Sequence, residues 1–294
     1  MDVNFYAKGK HWCLRGYLSI VRNVLKGKGR SFTYIDLFSG DGICTVQKPI
    51  HDSWDGPPIT ALKCAKNAAF DFKCIFNDLD PDKIKNLNDR IAPYKDFVRG
   101  VYNEEADSVY RKILTQLNRE DMNLFYIDPN KHSDISWATI KDICEFESTA
   151  YYKGKSFIRR PELLINLMTH SMQRGGVPYD PDSIDKCLGT SSWREQIESK
   201  SSRTPMHKIF LDTFLNQLQP YYDKGKNVFV MEVRQLENKS LLYYLIFATT
   251  HPLASKIFSS YQEYVKQYQK SDLMNEYLSL DARAKGLTSL LDFK

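Results

Sequence analysis

The sequence predicts an α/β fold in which a mainly parallel sheet is covered by helices on both faces. Three observations carry this. Short apolar runs alternate with segments of helical periodicity along most of the 294 residues. These runs are continuous rather than alternating, as strands buried on both faces require. Several stop at a carboxylate or a glycine turn, where an open α/β sheet presents its ligand-binding groups.

The elements follow in chain order. Leu14, Leu18, Val21 and Leu25 recur at three- and four-residue spacing and predict an amphipathic helix over 11–26. Thr33-Tyr34-Ile35-Asp36 reads as a buried strand running into Leu37-Phe38-Ser39-Gly40-Asp41-Gly42, and a helix begins at Ile59 just beyond Gly56-Pro57-Pro58. Phe72 to Phe76 is a strand ending in Asn77-Asp78-Leu79-Asp80, and the helix from Pro81 turns Ile84, Leu87 and Ile91 inward. A short strand at 96–99 precedes a Gly100-Val101-Tyr102-Asn103 turn and a helix over 104–117. The strand Asn123 to Ile127 stops at Asp128-Pro129-Asn130; a helix over 136–146 and a buried strand from Glu162 to Leu167 follow. Two last strands, Asn227 to Val233 and Leu241 to Ala248, flank the turn-forming Glu237-Asn238-Lys239 and give the sheet an antiparallel C-terminal hairpin at one edge. The expected division is a core of residues 1–171 and 223–270 including the N-terminal helix, a helical insertion at 172–222, and a helical tail at 271–294. Such an insertion either faces a substrate as a lid or simply packs on the core.

Composition narrows the class. With 42% hydrophobic and 26% charged residues the chain can bury one large core. No apolar run approaches the roughly 18 residues of a membrane span, and Met1-Asp2-Val3-Asn4-Phe5 opens no signal-peptide apolar region, so a cytoplasmic protein off the membrane is expected. Six cysteines without a Cys-x-x-Cys pair read as reduced packing residues, and the histidines show no metal-ligand spacing, so no metal is expected. A net charge of +5 permits a polyanionic partner without requiring one.

The strand ends carry the chemistry. Gly40 and Gly42 let backbone approach a ligand where a Cβ would collide. A dinucleotide loop wants a third glycine at the position held by Thr45, so the loop suits an adenosyl ligand without a pyrophosphate better than NAD. Asp78 is a natural acceptor for a vicinal diol, or else a helix N-cap; Asp80 suits the cap.

This order of motifs resembles the class I S-adenosylmethionine-dependent methyltransferases and implies a Rossmann-like sheet. The resemblance implies that Asp36, Phe38, Gly40 and Gly42 surround the methionine part of S-adenosylmethionine, and that Asp78 and Leu79 hold its adenosine. Val101 stands where many relatives carry an acid that reads the adenine, which leaves Asn103 as the candidate acceptor, or as a plain turn residue. Asp128 and Pro129 complete the cofactor set. Asp128 is the candidate catalytic group that orients or deprotonates the acceptor, or else a strand-end carboxylate that caps the next helix. Asp128-Pro129-Asn130-Lys131 lacks the second proline and the aromatic of the Asn/Asp-Pro-Pro-aromatic motif of amino-methylating enzymes.

Over residues 10–258 the chain is similar to the three-Cys-motif partner proteins (TcmP). The matching stretches include Asp36 to Gly42, Gly56-Pro57-Pro58, Phe125-Tyr126-Ile127-Asp128-Pro129, Trp137-Ala138-Thr139-Ile140, Leu188-Gly189 with Trp193-Arg194, and Tyr244 to Leu253. That resemblance implies an operon-encoded radical S-adenosylmethionine protein as partner. Lys153, Lys155, Arg159 and Arg160, interleaved with Tyr151, Tyr152 and Phe157, are candidates for nucleic-acid binding; so is the run Lys26, Lys28 and Arg30. Either run is otherwise a solvated loop. The expected function is S-adenosylmethionine-dependent methylation of RNA or DNA in a modification or defence system. The alternative is a non-catalytic methyltransferase-like subunit that binds cofactor or nucleic acid.

Overall fold

In the computed structural model, residues 5, 7–46, 52–199, 204–222, 227–235 and 240–270 are described, with Asp272, Leu273, Asn275, Glu276 and Ser279 beyond them. The expected turn at Glu237-Asn238-Lys239 and nearly all of the tail at 271–294 lie outside the described residues.

Helix α1 (Ala7–Leu25) leads into β1 (Phe32–Asp36). A small hairpin, β2 (Ile43–Val46) and β3 (Asp52–Asp55), follows the glycine loop, and then come α2 (Pro57–Lys66), β4 (Phe72–Asn77) and α3 (Pro81–Ile91). Asp80 caps α3 by accepting from the backbone N–H groups of Asp82 and Lys83, and Pro81 occupies its first turn. A 3₁₀ segment (Ala92–Phe97) precedes β5 (Val98–Tyr102), α4 (Ala106–Gln116), β6 (Met122–Ile127) and α5 (Trp137–Cys144). A second hairpin, β7 (Ser148–Tyr152) and β8 (Lys155–Arg159), stands before β9 (Glu162–Leu167). Among the described residues between Thr169 and Tyr221 lie α6 (Thr169–Ser171), a π turn (Met172–Gly176), α7 (Val177–Tyr179), α8 (Pro181–Leu188), α9 (Ser192–Glu198), α10 (Met206–Leu218) and a 3₁₀ turn (Gln219–Tyr221). Strands β10 (Val228–Arg234) and β11 (Leu241–Ala248) and helix α11 (Pro252–Lys270) close the fold. Among the described residues no helix is long and apolar enough to cross a membrane.

The main sheet has seven strands in the order β10-β11-β9-β6-β1-β4-β5, the strand order of a Rossmann-like class I methyltransferase sheet. β1 pairs parallel with β4 and β6, β6 with β9, and β4 with β5. The antiparallel strand is not at the edge, as the hairpin alone suggests. β11 runs antiparallel between β9 and β10, which leaves β10 at the edge and parallel to the rest. Burial gives the reason: β11 is buried from Tyr243 to Ala248, whereas β10 exposes Glu232 and Arg234 and so suits an edge.

Alternate residues of each strand feed two separate cores. Phe32, Tyr34, Leu124, Tyr126 and Leu164 pack toward α1, α2 and α3. Ile35, Phe125, Ile127, Leu163 and Ile165 pack toward α4, α5, α8 and α10. This two-sided cover accounts for strands with no polar face. Phe125 is fully buried at the centre of the sheet, so Phe125→Ala is expected to cost about 3–5 kcal/mol. Guanidinium unfolding with an unchanged slope would register it as a lower midpoint.

β5 begins two residues later than the sequence suggests. Asp96 and Phe97 close the 3₁₀ segment, so Gly100, Val101 and Tyr102 belong to the strand and only Asn103 follows it. The parallel pairing of Gly100, Val101 and Tyr102 with Ile75, Phe76 and Asn77 fixes this register.

Candidate functional site

The carboxyl ends of β1, β4, β5 and β6 meet around one cleft of about 260 Å³. Its construction starts with the loop after β1. Gly40 (φ 62°) and Gly42 (φ 84°) adopt left-handed backbone, which admits glycine readily. A Cβ on Gly42 would lie 3.1 Å from Leu87 and 3.2 Å from Ile59. The Gly42 carbonyl accepts from the Gly56 N–H at 2.8 Å, so the loop, the β2–β3 hairpin and the start of α2 are one joined unit.

Asp78 clamps this loop from the end of β4. Its Oδ2 accepts from the Gly40 N–H at 2.8 Å and its Oδ1 from the Asp80 N–H at 3.0 Å. Asn77 stitches the neighbouring turns together: its Nδ2 donates to the carbonyls of Leu37 and Glu104, each at 3.0 Å, and its Oδ1 accepts from the Glu104 N–H. The Asn103 side chain donates to the carbonyls of Asp78 and Leu79, both at 2.8 Å. Leu79 is held by that bond yet is 63% exposed, an apolar shelf at the cleft.

The lining is acidic. Asp78, Glu104, Glu105, Asp107 and Asp134 face it, against one cation, Lys186. Lys186 itself pairs with Asp107 at 2.7 Å, and Lys112 reaches Glu104 at 2.6 Å. Of the residues proposed from the sequence to hold a cofactor, Phe38, Asp78 and Leu79 line the cleft. Gly40 and Asn103 are bonded to its wall, Asp36 is buried at the end of β1, and Asp128 follows β6 without lining the cleft. Sequence reasoning missed Asn77 and the acids at 104, 105, 107 and 134; the cluster Asn103-Glu104-Glu105 just past a strand was the available signal.

A buried ion pair lies between α1 and the end of β6. Lys10 Nζ of α1 lies 2.7 Å from Asp128 Oδ1 and 2.6 Å from Oδ2, with both side chains about nine-tenths buried. Asn166 Nδ2 donates to Oδ1 at 2.7 Å, and the Tyr126 hydroxyl donates to Oδ2 at 3.1 Å. Burial alone would raise the Asp128 pKa, but the charge of Lys10 and the hydrogen bonds from Lys10 and Asn166 outweigh it and hold the carboxyl below its usual range. Asp128 is thus an ionised carboxylate whose two oxygens both have partners. His11 is fully enclosed beside it and its pKa falls to about 3, by burial first and then by the charge of Lys10. The neutral ring accepts from Trp54 Nε1 at 2.9 Å, and its Nε2 has no partner.

Asp36 has the opposite character. It is fully buried at the end of β1, accepting from the Phe38 N–H at 3.1 Å and the Tyr34 hydroxyl at 3.0 Å. Burial pushes its pKa up to about 8 despite those donors, and the nearby charges of Asp128 and Asp78 add to the rise.

The basic residues divide. Lys153 and Lys155 are exposed on the β7–β8 hairpin. Arg159 is buried against the Glu120 carbonyl, with the Glu120 carboxylate 3.8 Å away. Arg160 donates to the Cys144 carbonyl at 2.5 Å, pairs with Glu147 at 2.5 Å and covers the Tyr221 ring. Both arginines therefore hold the base of the hairpin to the body of the protein.

Two outcomes are expected from this geometry. Lys10→Met leaves the Asp128 carboxylate buried without its cation and should cost about 3–5 kcal/mol, while adding Asp128→Asn should restore much of that loss. Thermal unfolding of the single and double variants checks it. For Asp36, the folded pKa of about 8 lies above the ordinary value of 3.8, so between those values the folded state keeps a proton that the unfolded chain gives up. Stability therefore falls as pH rises through that window. Asp36→Asn removes the titration and keeps the bond from the Phe38 N–H, its amide N–H replacing the oxygen that accepts from Tyr34, so its melting temperature should gain on the wild type from pH 5 to pH 8 and gain nothing more above it.

No family model matches the chain, and no curated protein is significantly similar to it. Among solved structures, protein LPL1258 from Legionella pneumophila strain Philadelphia 1 is 14% identical over 91% of this chain and 93% of its own, with a TM-score of 0.54. The O-methyltransferase TomG from Streptomyces achromogenes, solved in complex with SAM, is 10% identical over 85% of this chain and 92% of its own, at a TM-score of 0.38. An rRNA methylase from Streptococcus thermophilus is 9% identical over 81% and 94%, also at 0.38. The Legionella protein is a likeness of fold, and the other two are weaker likenesses.

Proposed function

We propose that the acidic cleft binds S-adenosylmethionine and that the chain is a methyltransferase acting on RNA or DNA in a modification or defence system. The observation that carries this reading is the charge of the lining. Five carboxylates against one already paired lysine suit a sulfonium, an ammonium and ribose hydroxyls, and would repel the two negative charges of a dinucleotide pyrophosphate.

The residues fit the group. Asp78 keeps lone pairs for a ribose diol, Leu79 offers an apolar face to an adenine, and the glycine loop leaves room beside Phe38. When bound, S-adenosylmethionine supplies an electrophilic methyl on a sulfonium. What this chain's own residues do is hold it, orient the acceptor and exclude water. Asp128 is better suited to fixing α1 against the sheet than to accepting a proton, because Lys10, Asn166 and Tyr126 already occupy its oxygens. A polyanionic acceptor is favoured by a groove of about 600 Å³ along α1 that carries Arg15 and Arg22 with Trp12 and Trp54, although its Lys8 and Lys63 are paired with Asp52, Glu276 and Asp55.

The engaged oxygens of Asp128 also favour a second reading, a non-catalytic methyltransferase-like subunit that retains the cofactor. In either case the likeness to the three-Cys-motif partner proteins adds a radical S-adenosylmethionine protein, encoded alongside, as the partner.

Titration calorimetry tests the cleft. Heat is expected with S-adenosylmethionine and S-adenosylhomocysteine and none with NAD; Asp78→Ala should weaken the first two by about ten- to a hundredfold, the worth of a hydrogen bond to a charged group. Leu79→Ser, at an exposed position, should weaken them without lowering the melting temperature. No heat with either adenosyl compound would end the proposal. Binding without transfer of a tritiated methyl to RNA or DNA would leave the subunit reading.

A further inference from the structure

At the amino ends of the strands, opposite the acidic cleft, the fold brings together two basic runs far apart in sequence. One is Lys26, Lys28 and Arg30, between α1 and β1; the other is the tip of the β7–β8 hairpin. Lys28, Arg30, Tyr151, Tyr152 and His251 line one pocket of about 110 Å³, whose floor is apolar, from Val21, Leu25 and Ile257 among others. Lys153 (φ 50°) and Gly154 (φ 78°) form the tight turn that carries Lys153 and Lys155 out from the body. Its strands set Tyr152 and Phe157 against the His251 ring, with centroids 5.4 and 5.6 Å apart.

The charge here is one-sided. Lys26, Lys28, Arg30, Lys153 and Lys155 are all exposed, and none is ion-paired among the described residues. No carboxylate lines the pocket. His251 reports the same field: burial, and then Arg159, Arg30 and Lys28, bring its pKa down to about 4, so its ring is neutral at physiological pH. Tyr151 is 68% exposed at the rim. A tyrosine that far out on a strand, beside unpaired cations, offers a flat face to a partner.

From this arrangement we infer that the amino-end pocket is a binding surface for single-stranded nucleic acid, with phosphates on the lysines and Arg30 and a base on Tyr151. Five separated cations match a chain of phosphates spaced along a strand and exceed what one lipid headgroup or one carboxylate requires. Exposed aromatic rings among them supply the stacking that such strands use. The surface differs from the basic segment as read in the sequence, because Arg159 and Arg160 are committed to Glu120, Cys144 and Glu147 while Lys28, Arg30 and Tyr151 take their place. It stands whether or not the acidic cleft holds S-adenosylmethionine. If both hold, a strand anchored here reaches the cleft only by running along the outside of the molecule.

The test is fluorescence anisotropy of the intact chain with a labelled 20-nucleotide oligouridine, from 50 to 300 mM KCl. A variant carrying Lys28→Gln, Arg30→Gln, Lys153→Gln and Lys155→Gln removes four contacts, so the slope of log affinity against log salt should become shallower by about 2.8. Tyr151→Ala should weaken binding about fivefold or more at fixed salt. Both variants change exposed side chains, so their melting temperatures and their heats with S-adenosylmethionine should match the wild type, which separates this surface from the cleft. A slope unchanged in the four-residue variant would overturn the inference. So would a wild type that ignores the oligonucleotide but binds phosphatidylglycerol vesicles, which would make the pocket a lipid site.

Discussion

The ion pair between Lys10 and Asp128 is the contact on which the site's architecture depends. Two charges almost out of water tolerate no slack: each is stable only while the other stays in place. The pair pins the first turn of α1 to the end of β6, and Asn166 adds the end of β9. With that turn fixed, His11 meets Trp54 on β3 and Cys44 on β2. The hairpin so held continues the glycine loop through the bond from Gly56 to Gly42. A helix that packs outside the sheet thus sets the shape of a loop at its edge.

Charge is sorted along the strands. The carboxyl ends gather Asp78 and Asp128 with the acids at 104, 105, 107 and 134, while the amino ends gather Lys28, Arg30, Lys153 and Lys155. The net charge of +5 conceals this separation. A small cationic ligand and a long anionic one would be drawn to opposite ends of the molecule, each screened from the other by the thickness of the sheet and by salt.

Much of this was legible in the sequence, for identifiable reasons. Continuous apolar strands ending in Asp36, Asp78 and Asp128 revealed the sheet and the direction of its site, because burial on both faces leaves no polar alternation to misread. The start of β5 was obscured because Asp96 and Phe97 continue the helix-like turn before it. The β7–β8 hairpin carried a signal in Lys153-Gly154, a two-residue turn between β-forming residues, that its charge run overshadowed. Lys10 and Asp128 are 118 positions apart, and no local pattern couples them. Arg160 and Lys155 look alike in the sequence. What separates them is a backbone carbonyl, that of Cys144, which only the fold brings near.

The place of β11 has a consequence for how the chain is made. β10 pairs with β11 alone, and β11 also covers the open edge of β9. Six of the seven strands therefore leave the ribosome before the one that joins the last of them to the others. Until residue 248 emerges, β9 presents a bare apolar edge and β10 has no neighbour, the state most prone to pairing with another chain. The helices between β9 and β10 come out in that interval. In the finished fold α8 and α10 among them pack against Ile127, Leu163 and Ile165, apolar surface that is already present before β11 arrives.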